Sequence, residues 1–296
     1  MATPWSSWKW EIYMELNNQL KNKVCVITGA NAGIGFEISK SLAASGAEIL
    51  MICRNLDRGT SAREKIINTT QNSLINLFIA DLSLQSEVRR VSNEIINKYP
   101  SIDLLINNAG TVEKKRILTL EGFEKTFAIN HLAPFLLTNL LQNQLKYENS
   151  ARIITISSGA HHMGKIDFEN LQGEKGFSPF SAYSRTKLAN ILFTRELSKL
   201  LNGTNLLANC LHPGVVHTGI WQFSSFMRFI SPILGSMMLS PEKGAKTAIW
   251  AATSQEAGNY NGTYFEKCKP ASISSDAEDA LKASILWEES IKMTNS

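Results

Sequence analysis

Cysteine is scarce in this 296-residue chain, charge is nearly balanced, and no apolar stretch approaches the roughly 18 uninterrupted residues of a membrane-spanning helix. Each shortage removes a class of protein. The four cysteines, Cys25, Cys53, Cys210 and Cys268, lie far apart, with no C-x-x-C pair and no His/Cys cluster at metal-ligand spacing. That pattern excludes a disulfide scaffold and a structural zinc site, and it reads as free thiols in a reducing compartment. His161 and His162 are adjacent in sequence, a spacing that rarely aims two side chains at one ion, so no metal is expected. With 30 Lys+Arg against 26 Asp+Glu the net charge is +4, too weak and too scattered for a nucleic-acid partner. The most apolar stretch, FMRFISPILGSMML from Phe226, is short and broken by Arg228 and Pro232. The first twenty residues lack a continuous apolar core and contain Glu11 and Glu15, which argues against a secretory signal or a mitochondrial presequence. The expected location is cytoplasmic.

What is present is ordinary globular composition, 44% hydrophobic and 19% charged. Short apolar runs alternate with helix-like segments: VCVIT (24–28), EILMIC (48–53), NLFIADL (76–82), IDLLIN (102–107), RIITIS (152–157), LLANCL (206–211) and GTYF (262–265). Runs that are apolar on both faces suit strands buried between two helical layers. The segments between them repeat at helical spacing, as in Ile34, Ile38 and Leu42, or Val88, Val91, Ile95 and Tyr99. The expectation is an α/β fold, a doubly wound (Rossmann) parallel sheet of about seven strands with helices on both faces. One domain would span 21–296, after an N-terminal arm over 1–20. Ser240 and Pro241 read as the N-cap and first residue of a late helix. A terminal helix from Asp276 is expected to turn Leu281, Ile285 and Trp287 inward.

Between the first strand and the first helix lie Gly29, Gly33 and Gly35, in TGANAGIG. Glycines there allow a tight turn and let backbone N–H groups and a helix N-terminus approach a pyrophosphate. At the end of the second strand, where an NAD site carries an acid for the ribose 2′-hydroxyl, stand Cys53 and Arg54, with Arg58 close behind. A guanidinium can hold a 2′-phosphate by paired hydrogen bonds, so NADP(H) is the expected cofactor, with Arg54 as the clamp and Arg58 as its alternative.

In SAYSRTKLAN, Tyr183 and Lys187 sit one helical turn apart on one face. In isolation a Y-x-x-x-K means little. Here it follows, in order, TGANAGIG at 28–35, DLS at 81–83, NNAG at 107–110, Asn130 in FAINHLAPF and ISS at 156–158, and it precedes HPGVVHT at 212–218. Over about residues 22–268 the chain resembles the short-chain dehydrogenase/reductase family. HHMGKIDFENLQGEKGFSPFSAYSRTKLANILFTREL and GTYFEKCKP are similar to its retinol dehydrogenase branch.

That resemblance implies a catalytic set of Asn130, Ser158, Tyr183 and Lys187. Tyr183 would exchange a proton with the substrate oxygen, its phenol lowered by the Lys187 ammonium and by oxidised nicotinamide. Ser158 would hydrogen-bond the same oxygen, chosen over Ser157 on the family pattern. Asn130 would orient a water linking Lys187 to solvent; read on its own it is a capping or satisfied core residue. The resemblance further assigns cofactor binding to Gly29, Asn31, Gly33, Ile34, Gly35 and Arg54. It places Asp81 and Leu82 at the adenine end, and Asn107, Asn108, Ala109 and Gly110 along the wall. Tyr183 and Lys187 are also expected to touch the cofactor, with Pro213, Gly214, Val216 and Thr218 at the nicotinamide amide. In a purely structural reading Asn107 ties neighbouring strands together.

The segment near 219–240, GIWQFSSFMRFISPILGSMMLS, occupies the family's variable lid position and is rich in Trp, Phe, Met and Ile. It suits an apolar alcohol or aldehyde, whether retinoid, isoprenoid or lipid-derived; a core or dimer contact is the competing reading. Trp5, Trp8, Ile12 and Leu16 fall at helical spacing, as an arm packed on the protein or as a peripheral membrane contact. The expected function is NADP(H)-dependent interconversion of an apolar alcohol and its aldehyde or ketone. Its rival is a catalytically idle dinucleotide-binding regulator on the same fold, which would be expected to have lost Asn130, Ser158, Tyr183 or Lys187.

Overall fold

The computed structural model describes residues 19–145, 151–215 and 239–296. Its centre is an eight-stranded sheet in the order β3-β2-β1-β4-β5-β6-β7-β8. The strands are β1 (Val24–Thr28), β2 (Glu48–Cys53), β3 (Ile75–Ile79), β4 (Leu104–Asn107), β5 (Arg152–Ile156), β6 (Leu207–His212), β7 (Tyr264–Glu266) and β8 (Lys269–Pro270). The first seven pair in parallel, and β8 turns back antiparallel on β7. The sequence expectation of about seven parallel strands is therefore one short. At two exposed residues, β8 has no apolar run to announce it.

Alternation along the strands explains why both faces are apolar. Cys25, Ile27, Ile49, Met51, Leu104, Ile106, Ile154 and Ile156 point into one core, shared with helices α1 (Gly33–Ala44) and α2 (Leu56–Thr70) and the late helix Pro241–Thr253. Val26, Leu50, Ile52, Leu105 and Ile153 point into the other, against α3 (Gln85–Lys98), α4 (Ala133–Leu141) and α5 (Pro179–Leu200). Burying each such aliphatic side chain stabilises by about 1.5–3 kcal/mol, so the two cores pin the register and with it the level at which every strand ends.

The late helix, α6 (Pro241–Thr253), begins as expected, with the Ser240 hydroxyl accepting from the Lys243 N–H at 3.4 Å. The terminal helix α7 (Ala280–Thr294) corrects the sequence reading. Its inward face carries Ala283, Leu286, Ser290 and Thr294, while Leu281 is 70% exposed and Ile285 37% exposed. Trp287 does pack on the core, stacked on Phe193 and edge-on to Phe135. A separate turn, Ser275–Glu278, and the cap at Asp279 rotate α7 away from the phase that a continuous helix from Asp276 would have had.

The N-terminal arm, with Trp5, Trp8, Ile12 and Leu16, lies outside the described residues, as does almost all of the lid. The two ends that flank it meet: the Leu239 N–H donates to the Val215 carbonyl at 2.7 Å. Among the described residues, no helix is long and apolar enough to cross a membrane.

Candidate active site

At the carboxyl end of β1 the chain turns through Gly29 (φ +66°) and Gly33 (φ +56°), a left-handed backbone that glycine adopts freely. Gly35 is needed for a different reason. A Cβ there would lie 2.4 Å from the Gly29 carbonyl oxygen and 2.5 Å from Asn108 Nδ2, so α1 could not pack so tightly on the turn. The N-cap of α1 is Ala32, which has no side-chain cap, and no acid stands in the first turn. A helix start without side-chain capping and without negative charge is suited to a phosphate group, so the turn fits a dinucleotide. Asn31 and Ile34 sit in the same turn.

Thr28 holds this turn against the end of β4. Its Oγ1 accepts from the backbone N–H groups of Asn108 (2.9 Å) and Ala109 (3.0 Å), while Asn108 Nδ2 donates to the Thr28 carbonyl at 2.8 Å. The neighbouring Asn107 faces away and donates to Thr138 Oγ1 on α4 at 3.0 Å. Tying adjacent strands is thus the work of Asn108, not of Asn107, because successive residues leave a strand on opposite faces. Thr28 was missed in the sequence reading; a hydroxyl closing a strand just before a glycine turn was its only signal.

Asp81 follows β3 and accepts from the Ser83 N–H at 2.9 Å, shaping the turn that also carries Leu82. Arg54 is the first residue beyond β2 and is exposed, with no ion pair among the described residues. Arg58 is also exposed and lies in the first turn of α2, its N–H capped by Asn55 Oδ1 at 2.9 Å. Beside them the Cys53 thiol is buried, and burial pushes its pKa up to about 12 against the opposing backbone N–H groups of Ala30 and Asn31.

Three elements deliver the four candidate catalytic side chains. The end of β5 presents Ser157 and Ser158, α5 carries Tyr183 and Lys187, and a π-helical turn (Ala128–Leu132) carries Asn130. The two serines differ in use. Ser157 Oγ donates to the Lys187 carbonyl at 2.7 Å, fastening α5 to the sheet, whereas Ser158 Oγ accepts from the Ala160 N–H at 3.2 Å and lies beside the Tyr183 phenol, whose ionised form it favours. Lys187 Nζ donates to the Ile156 carbonyl at 3.0 Å and lies 5.4 Å from the Tyr183 ring centroid. Asn130 bridges Thr111 through its side chain, accepting from the backbone N–H at 2.7 Å and donating to the carbonyl at 2.9 Å, and it also donates to Thr186 Oγ1. Among the described residues its direct partners are Thr111 and Thr186. Gly110 adjoins this group: a Cβ there would sit 3.4 Å from Asn130 Oδ1 and 3.8 Å from Lys187 Nζ.

Burial dominates the electrostatics. It pushes the Tyr183 phenol up to about 12 against the opposing Ser158 hydrogen bond, and it lowers Lys187 to about 8. The downward shift expected for Tyr183 is thus absent from the protein alone, because desolvation disfavours both charged forms in this pocket.

Pro213 and Gly214 (φ +88°) follow β6, at the same end of the sheet as the glycine turn and Ser158, and Leu239 packs against Gly214. Val216 and Thr218 lie outside the described residues. The sheet has brought the turn after β1, the ends of β2 to β6 and the face of α5 to one edge, the place where ligands bind in doubly wound sheets.

Sequence comparison agrees with this geometry. The family model described as short chain dehydrogenase matches residues 23–227. The chain belongs to the short-chain dehydrogenase family. It is 39% identical over 272 residues to mouse retinol dehydrogenase 11, covering 92% of this chain and 86% of that protein. It is equally 39% identical over 277 residues to human retinol dehydrogenase 12, covering 94% and 88%. Among solved structures, an uncharacterized protein from Mycobacterium paratuberculosis superposes with TM-score 0.79 at 31% identity, covering 99% of this chain and 98% of that one. An L-sorbose reductase from Gluconobacter frateurii, solved with NADPH and L-sorbose, shares the fold at TM-score 0.69 and 21% identity, covering 84% and 96%. As a short-chain dehydrogenase the chain is an oxidoreductase of a family that binds nicotinamide dinucleotides.

Proposed function

We propose that this short-chain dehydrogenase interconverts an apolar alcohol and its aldehyde or ketone with NADP(H), using Tyr183 as the proton-transfer group. The observation that carries the proposal is the convergence of Ser158, Tyr183 and Lys187 at the end of β5, with the phenol beside Ser158 and the Lys187 ammonium 5.4 Å from its ring centroid, one helical turn on. The dinucleotide, when bound, supplies the hydride donor or acceptor. Gly29, Asn31, Gly33, Ile34 and Gly35 would hold its phosphates, Asp81 and Leu82 its adenine end, and Asn108, Ala109 and Gly110 its flank. Pro213, Gly214, Val216 and Thr218 would hold the nicotinamide amide. Arg54 would take a 2′-phosphate, a preference favoured by its exposed guanidinium, which has no ion pair among the described residues, and by the absence of an acid at the end of β2.

Tyr183 Oη would pass its proton to the substrate oxygen in reduction and take it back in oxidation, with Ser158 Oγ bonded to the same oxygen. A phenol near 12 is fully protonated at neutral pH, the form that reduction uses. For oxidation it must ionise, and bringing it from about 12 to neutrality takes about 7 kcal/mol at 1.36 kcal/mol per unit. Asn130 would orient a water between Lys187 and solvent, and Lys187 would also bind ribose hydroxyls. The substrate class rests on the names of the retinol dehydrogenase relatives and on the apolar composition of 219–240.

The test is turnover with NADPH and NADP+ across retinoids, isoprenoid alcohols and alkanals, with Tyr183→Phe as the control. Tyr183→Phe should bind NADPH normally and lose about a hundredfold or more of kcat, within the range of a general acid–base. Near wild-type turnover in that variant would remove Tyr183 from the mechanism. NADPH binding without turnover of any substrate by the unmodified protein would favour the idle regulator.

A further inference from the structure

The carbonyl of Ser158 accepts two hydrogen bonds from one residue, the backbone N–H of His161 at 3.1 Å and the imidazole Nδ1 of His161 at 2.8 Å. The other ring nitrogen, Nε2, meets the backbone N–H of Ser274 at 3.3 Å. A carbonyl can only accept and a backbone N–H can only donate. The tautomer is therefore dictated by its partners: Nδ1 carries the proton and Nε2 presents its lone pair. The ring is fully buried, with the His162 ring 3.9 Å away and Tyr264 edge-on at 4.9 Å. The titratable groups around it are His162, His212 at the end of β6, Glu266 on β7 and the Tyr264 phenol; burial is the main reason its pKa falls to about 4, so the neutral ring persists at physiological pH.

Ser158 is followed by Gly159, the residue least able to hold a conformation of its own. Yet the direction of Ser158 Oγ, which caps the turn at Ala160 and meets the Tyr183 phenol, depends on that peptide staying in place. Building on the catalytic reading above, we propose that His161 is a positioning residue for Ser158. Its Nδ1–H clamps the Ser158 carbonyl so that Oγ stays aimed at Tyr183, and its Nε2 anchors the clamp on Ser274, the cap of the turn Ser275–Glu278. The segment that follows the sheet thereby holds the catalytic serine without touching substrate.

Three substitutions separate this role from mere core filling. Asparagine can place an amide N–H near the Nδ1 position, glutamine reaches the Nε2 position instead, and phenylalanine keeps the ring without either bond. With all-trans-retinal and NADPH as probes, His161→Gln and His161→Phe should lower kcat by about tenfold or more while the KM for NADPH stays within about twofold, and His161→Asn should recover most of the loss. A second readout needs no substrate. Tyrosinate absorbance in saturating NADP+, taken as the difference from Tyr183→Phe, should show the Tyr183 phenol ionising at higher pH in the Gln and Phe variants, because the Ser158 bond that favours the phenolate is loosened. An unshifted titration with wild-type kcat in folded Gln and Phe variants overturns the proposal, and so does an equal loss in all three. If the His161 variants do not fold, Ser274→Pro read against Ser274→Ala decides. Both remove the cap hydroxyl, but only proline removes the N–H donated to Nε2, so equal kcat in the two overturns the proposal. Normal turnover by Tyr183→Phe would instead sink the catalytic reading, an outcome that these comparisons do not mimic.

Discussion

At Arg54 a single side chain bears the proposed choice of cofactor. The residue is the first beyond β2, it is exposed, and among the described residues no acid pairs with it. Arg54→Asp replaces a guanidinium with a like charge toward a 2′-phosphate. The KM for NADPH should rise about tenfold or more, and that for NADH should change little, as read by steady-state kinetics with both cofactors. An unchanged ratio would move the clamp to Arg58. Residue identity was the most legible layer of the site, since Gly33, Gly35, Tyr183 and Lys187 announce themselves by type and spacing. What spacing did not carry was partnership. Nothing in the string says that Ser157 is consumed by the Lys187 carbonyl while Ser158 reaches the phenol, or that Asn107 faces α4 while Asn108 holds the glycine turn.

Elements add phase to identity. The terminal helix was legible as a helix, but its inward face was misread, because a separate turn at Ser275–Glu278 resets the rotation before α7 starts. The consequence is measurable. Leu286→Ala should destabilise the fold by about 2–4 kcal/mol, whereas Leu281→Ala on the exposed face should stay within about 0.5 kcal/mol, both from urea denaturation. Equal effects at the two positions would restore the sequence-based face. The π turn at Ala128–Leu132 is a second case of phase, and it lies at Asn130, where such turns often mark functional sites.

Over the whole molecule, burial of ionisable groups couples stability to pH. His131 lies fully buried among Phe127, Phe135 and Phe193, bonded to Ser290 Oγ on α7, and burial lowers its pKa from 6.5 to about 4 against the Asn190 hydrogen bond. The unfolded chain takes up a proton near 6.5 and the folded chain only near 4, so the unfolded state binds more protons between these values. His131 therefore costs no stability above about pH 6.5, and on the order of 3 kcal/mol is lost as pH falls from there to about 4. Denaturation midpoints measured across this window should show a shallower acid loss for His131→Phe than for the wild type, and parallel curves would refute the assignment.

The sequence by itself determined the parts that depend on local pattern. Apolar runs and helical spacing set the strands and helices, because each element must bury its own apolar side chains between the layers. The glycine turn and the helical spacing of Tyr183 and Lys187 likewise require only neighbouring residues. The tertiary structure alone decided what depends on distant chain segments meeting. It added β8, whose pairing comes from the adjacent β7 rather than from any apolar run of its own. It buried the Tyr183 phenol, and in the protein alone that desolvation, a property of the assembled pocket, pushes its pKa up. It also brought Ser274 to His161 and Ser290 to His131, contacts across 113 and 159 residues that no spacing rule encodes, because only the assembled fold brings the carboxyl-terminal segment back against the ends of the central strands.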